Sequence, residues 1–217
     1  MTFPSTTDNP RVNSAVKAFF AIHQTDPNIV ASPDHTEIPY SVLYHSRLVH
    51  WTQTLSAPDT PSEPLFLAAH TQHIRRWTVP RASFPEGLAG YKRWRSSLAK
   101  FHAEEAERVL RESGYGDEDA DIIQRVKDLL QKRNLKTDAE MQLFEDAICL
   151  VFLEKEFEAF VAKYDEAKVI DVLRKTWVKM GSKGHEAALQ LAGGLPEDLQ
   201  AVVHKALTED ASDPKVA

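Results

Sequence analysis

The chain has 217 residues, 42% of them hydrophobic and 27% charged, with 26 Lys and Arg set against 32 Asp and Glu for a formal charge of -6. That is the make-up of one globular unit with a real core, and its acidic balance excludes a histone-like or polybasic coat for nucleic acid. The single thiol, Cys149, has no internal disulfide partner, and no stretch reaches the roughly 18 apolar residues of a membrane span, so the expectation is a reducing, cytoplasmic setting away from membranes. The first ten residues, Met1 to Pro10, have neither the basic n-region nor the apolar h-region of a secretory signal.

Helical spacing dominates, no convincing strand is visible, and the fold class is read as all-α. Asp8 or Asn9 caps a first helix with Pro10 at its first position, and Val12, Val16, Phe19, Phe20 and His23 give its apolar rhythm. After a loop rich in turn formers, a second helix is expected over 40–55 and a third over 62–77. Pro80, Pro85, Gly87 and Gly90 mark an irregular loop. A fourth helix then runs over 90–113, with Tyr91, Trp94, Leu98, Phe101 and His102 on one side, and Gly114-Tyr115-Gly116 stops it. The fifth covers 117–132, a long sixth capped by Thr137 or Asp138 reaches Ala162, and a seventh spans 166–180. The organisation expected is one helical domain over 10–207, between a flexible N-terminus, 1–9, and a flexible acidic tail, 208–217.

Three groups of residues carry possible chemistry. The sixth helix is apolar nearly all round from Leu143 to Leu153, yet it includes Glu145 and Asp146. A buried carboxylate requires a cationic partner, a metal or a proton, so these acids are either one side of a structural ion pair or functional groups. His70 and His73 stand three apart on the expected third helix, which suits either a hydrogen-bonded core pair or shared ligation. His45, His50 and His102 bring the histidines between residues 45 and 102 to five of the nine. Between Thr71 and Ala103 seven basic residues face one acid, Glu86, and Trp77, Phe84, Tyr91 and Trp94 are interleaved with them. Guanidinium forks grip phosphate oxygens and aromatic faces stack on bases, so this segment suits a phosphorylated, nucleotide-like ligand; the plain alternative is a solvated basic face over core aromatics. Lys132, Arg133 and Lys136 form a second basic cluster, and Lys168, Arg174, Lys175, Lys179 and Lys183 a third. No Walker loop, dinucleotide fingerprint, nucleophile elbow or Cys-x-x-Cys pair is present, and Cys149 reads as a small core residue.

The segments Gln72-His73-Ile74-Arg75-Arg76-Trp77, Gly90-Tyr91-Lys92-Arg93-Trp94-Arg95, Phe101-His102-Ala103, Leu143 to Glu154 and Arg174-Lys175-Thr176-Trp177-Val178-Lys179-Met180 resemble an uncharacterised helical family known as domain of unknown function 4202, over about residues 10–192. A more distant resemblance is to the HD superfamily of helical metal-dependent phosphohydrolases. His45-Ser46-Arg47-Leu48-Val49 is similar to its opening His segment, Leu67 to Ile74 to the lead into its His-Asp pair, and Glu145-Asp146 to its closing acid. Where the pair should stand, this chain has His70-Thr71 or Gln72-His73, so the resemblance implies one metal rather than two.

What it implies is an HD-like bundle of about seven helices that hydrolyses a phosphate ester of a nucleotide or other small anion. The metal would be a divalent Mn, Fe, Co, Ni or Zn held by a subset of His45, His70, His73, His102 and Asp146, with Glu145 orienting or deprotonating the attacking water. Arg76, Arg81, Tyr91, Arg95, Lys132 and Lys175 are the candidate substrate contacts. The rival expectations are an HD-type iron oxygenase and a non-catalytic module that binds a nucleotide or RNA, with nucleic acid the less favoured partner.

Overall fold

The computed structural model describes residues 7–32 and 35–208; of the two flanking segments expected to be flexible, 1–6 and 209–217 lie outside that range. The all-α expectation holds: the described residues form ten α-helices, more than the seven anticipated, and one two-stranded ribbon. The chain divides into two compact units, Met1–Phe144 and Glu145–Ala217.

In the first unit, α1 (Pro10–His23) starts where its sequence says, with the Asn9 side chain accepting from the Arg11 N–H at 3.0 Å. Its buried stripe is Val12, Ala15, Val16, Phe19 and, at its end, His23. The next segment forms the short antiparallel strands β1 (Ile29–Ala31) and β2 (Glu37–Pro39), paired Ile29 to Pro39 and Val30 to Ile38. Three residues per strand are too few for a period-two pattern, so the sequence does not announce them.

The ribbon leads into α2 (Tyr40–Ser56), which Pro39 precedes without offering a capping side chain. The cap comes from upstream: Asp26 Oδ2 accepts from the Ser41 backbone N–H at 3.0 Å and from its hydroxyl at 2.5 Å. The other Asp26 oxygen takes the Asn28 N–H at 2.9 Å and its amide at 2.7 Å, so this buried carboxylate is fully engaged.

The third helix is shorter than expected. α3 covers Glu63–Ala69, capped by Ser62, and does not reach Trp77. The Thr71 hydroxyl bonds back to the carbonyls of Leu67 and Ala68, and Arg75 adopts a left-handed φ of 48°, so the chain leaves the helical path after Ala69. His70 and His73 therefore lie on a turn, not on one helical face.

After short 3₁₀ turns at Arg76–Thr78 and Arg81–Ser83 comes α4 (Gly87–Glu112). A side chain at Gly90 would meet the Pro85 carbonyl oxygen at 1.8 Å, so only glycine fits there. α5 (Ala120–Leu130) packs its stripe, Ile123, Val126, Leu129 and Leu130, against α3 and α4, while α1 packs on α2, α3 and α4. Phe19, Leu67, Leu110 and Leu129 are fully buried, each stabilising the fold by about 2–3 kcal/mol. Polar ties complete the unit: Arg11 grips both Asp119 oxygens at 2.7 Å and lies over Tyr115, whose hydroxyl donates to Glu63 at 2.7 Å. Asp138 caps α6 (Ala139–Val151) by accepting from the Glu140 and Met141 N–H groups, as the sequence suggests, and Arg125 pairs with both Asp138 and Glu140.

In the second unit the sixth helix continues through a π-turn (Phe152–Glu156) into α7 (Phe157–Lys163). α8 (Glu166–Lys179) follows, capped by Asp165, and then α9 (Ser182–Gly193) and α10 (Glu197–Thr208). Phe157, Val169, Ile170, Leu173, Leu199 and Ala206 make its core. The Asp146 carboxylate is part of this scaffold: its Oδ1 accepts from the Gly181 N–H at 2.8 Å at the start of α9. A side chain at Gly184 would sit 2.6 Å from the Asp146 carboxyl carbon, so the close approach needs glycine.

Candidate functional site

Five histidines of the first unit come together, one of them unforeseen. His23, from the end of α1, stacks on His45 of α2 with ring centroids 3.8 Å apart and planes 14° from parallel. Tyr44 meets His45 edge-on at 5.2 Å and stacks on His73 at 4.5 Å, and His73 lies 5.8 Å from His102 of α4. His70 packs edge-on against Phe66. The signal for His23 was in the sequence, as a histidine closing an apolar stripe, but only the fold shows what it closes against.

Backbone carbonyls fix the tautomers. His23 Nε2 donates to the His70 carbonyl at 2.8 Å, His45 Nδ1 to the Ser41 carbonyl at 2.7 Å, and His102 Nδ1 to the Ile74 carbonyl at 2.9 Å. His45 Nε2 in turn accepts from the His73 backbone N–H at 3.2 Å. Burial pushes His23 and His102 down to about 4 and His70 to about 3, and holds His45 and His73 well below the usual imidazole range. All five rings are therefore neutral at pH 7. After burial, the positive charges of Arg76 and Arg95 add to the effect at both His73 and His102.

Two cavities adjoin this cluster, and both are lined by His73 and Arg76. The larger, about 470 Å³, is walled by Asp26, Tyr40, Tyr44, His45, Trp77 and Trp94. The smaller, about 230 Å³, is lined by Gln72, Arg95, Ser96, His102, Gln131 and Lys132. Trp94 holds the shared edge in place, since its indole N–H donates to the Val79 carbonyl at 2.9 Å while the Arg76 guanidinium lies over its ring at 4.8 Å. Lys132, at φ 55°, turns the chain at the end of α5 and so reaches the rim of the smaller cavity.

Of the residues anticipated from sequence, His45, His70, His73, His102, Arg76, Arg95 and Lys132 fall in or beside this region. Arg81 does not line either cavity; its guanidinium caps its own loop, donating to the Phe84 carbonyl at 2.9 Å and the Gly87 carbonyl at 3.5 Å. Tyr91 is exposed and packs against Trp94. Glu145, Asp146 and Lys175 belong to the second unit, where Glu145 is buried, Asp146 anchors α9 and Lys175 pairs with Asp171 at 2.8 Å.

A resident transition metal needs three or more lone pairs converging on one point. Both nitrogens of His45 are committed to the backbone, and His23 and His102 each keep only one lone pair. Among the described residues no three His, Cys, Asp or Glu side chains are disposed to share an ion. As arranged, the imidazoles do not fit the metal that the HD resemblance implies.

The family model for Domain of unknown function (DUF4202) matches residues 13–203. The chain belongs to this family. The match takes in both units of this DUF4202 protein and every cavity-lining residue named above. No curated protein and no solved structure matches the chain. Among the described residues no helix is long and apolar enough to cross a membrane.

Proposed function

We propose that the first unit of this DUF4202 protein binds a small phosphorylated anion in the paired cavities beside the histidine cluster. The observation that carries the reading is the shared wall: Arg76 lines both chambers, Arg95 and Lys132 line the smaller, and aromatic rings from Tyr40, Trp77 and Trp94 line the larger. Neutral imidazoles beside them add hydrogen-bonding capacity without competing positive charge, and a planar guanidinium pairs with phosphate oxygens two at a time. The chain as a whole is acidic, so a cavity edged by three cations is a local choice of charge and not a consequence of composition.

The distant HD likeness adds a proposed activity, hydrolysis of the bound ester. Its support is that the neutral imidazoles of His73 and His102 border the same cavity as Arg76 and Arg95. Calorimetric titration with adenosine monophosphate and with inorganic phosphate tests the binding, and released phosphate is assayed alongside with and without added Mn, Fe, Co, Ni or Zn. Saturable binding without metal is expected, weakened about tenfold in Arg95→Ala at low salt, as for loss of one charge-assisted hydrogen bond. No binding of either compound, or unchanged affinity in the variant, overturns the reading.

A further inference from the structure

Among the described residues, two buried acceptors on the smaller cavity have no hydrogen-bond donor. One is His102 Nε2. Its ring is 3% exposed, and because Nδ1 donates to the Ile74 carbonyl, the neutral ring presents a lone pair at Nε2. The other is Gln72 Oε1, in a side chain that is 5% exposed. Both residues line the same 230 Å³ chamber as Arg95 and Lys132. Buried acceptors without donors are costly, and two of them on one cavity define what a complementary ligand must bring.

The chamber is thus polarised. Its exposed cation, Arg95, and the half-buried Lys132 suit an anion, while its buried wall carries two acceptors in need of donors. A simple alkyl phosphate in its dianionic form would satisfy the cations and leave the acceptors unmet, because it carries no donor. A sugar or polyol phosphate meets both demands, its phosphate taken by the cations and its hydroxyls donating inward.

We infer that the ligand of the smaller chamber is a phosphate monoester of a polyhydroxylated carbon skeleton, whose hydroxyls donate to His102 Nε2 and Gln72 Oε1. This rests on the phosphate-binding reading above and narrows it to a substrate class. One alcohol donor per acceptor is worth about a tenfold gain in affinity, so two separate a polyol phosphate from a plain one by at least that factor.

The test titrates wild-type protein with ribose 5-phosphate, methyl phosphate and inorganic phosphate, and repeats the series with Gln72→Met, which keeps the length and removes the acceptor. Ribose 5-phosphate is expected to bind at least tenfold tighter than methyl phosphate, and the variant to lose about tenfold for ribose 5-phosphate while its methyl phosphate affinity is unchanged. Equal affinity of the two esters for the wild type, or a preference that survives in Gln72→Met, overturns the polyol inference alone. Absence of binding by all three compounds overturns the phosphate-binding reading beneath it. Since the ester comparison uses the unaltered chain, a variant that fails to fold does not block the outcome.

Discussion

Lowering the pH from 7 to 4.5 is expected to destabilise the protein by several kcal/mol, more than its surface ion pairs account for. The cause is the histidine cluster. In the unfolded chain each imidazole takes a proton near pH 6.5, whereas in the fold burial holds His23 and His102 at about 4 and His70 at about 3. Because the folded values are depressed, the unfolded state binds more protons throughout that window, so stability is full above pH 6.5 and is lost as pH falls toward 4. A depression of this size corresponds to roughly 3 kcal/mol for one buried histidine, set against total stabilities of about 5–15 kcal/mol. Urea titrations at pH 7, 6, 5 and 4.5, followed by circular dichroism, check this. The midpoint should fall steadily below pH 6.5, and a flat midpoint down to pH 5 would show that the rings are not buried as neutral species.

The second large effect is expected at Asp26. Asp26→Ala should destabilise the first unit by about 2–4 kcal/mol, because it removes the cap of α2 and leaves the Ser41 N–H and hydroxyl, and the Asn28 donors, without their acceptor. The loss propagates to the site, since Ser41 also supplies the carbonyl that orients His45 and Asp26 itself walls the larger cavity. Asp26→Asn keeps one acceptor oxygen and should retain part of the stability. Thermal denaturation of both variants at pH 7 gives the ranking, and a wild-type melting temperature in Asp26→Ala would mean that the carboxylate is not the cap.

Much of this architecture was legible where the signal is local. Pro10 behind Asn9 and Asp138 before the apolar run of α6 are capping signatures within four residues, and both helices begin there. Non-local features were not. The cap of α2 comes from fifteen residues upstream, across a ribbon whose strands are too short to show a pattern. The early end of α3 depends on Thr71 bonding backward and on a left-handed Arg75, neither of which alters the hydrophobic spacing. Over 181–208 the helical spacing is interrupted by Gly181, Gly184, Gly193, Gly194 and Pro196, although two of the ten helices, α9 and α10, lie there.

The site was half visible for the same reason. The density of histidines and the basic, aromatic segment are evident in the sequence and point to His73, Arg76, Arg95 and His102, while Lys132 belongs to a second basic cluster; all five line the smaller cavity. What spacing could not say is which ring nitrogens the backbone would consume. Carbonyls of Ser41 and Ile74 fix His45 and His102 as neutral hydrogen-bonding groups, and that decides against reading the cluster as a ready-made ligand set. Gln72 is visible in sequence only as part of the segments that carry the resemblances; its buried oxygen, without a donor among the described residues, is what marks it as a binding group.

The phosphate-binding reading meets its most direct test in imidazole NMR of the full chain as ribose 5-phosphate is added. Arg76 and Arg95 contribute to the low pKa values of His73 and His102, so an anion seated among these groups should shift both resonances saturably and raise both pKa values. Resonances of His73 and His102 that stay fixed while ligand is in large excess would contradict the account.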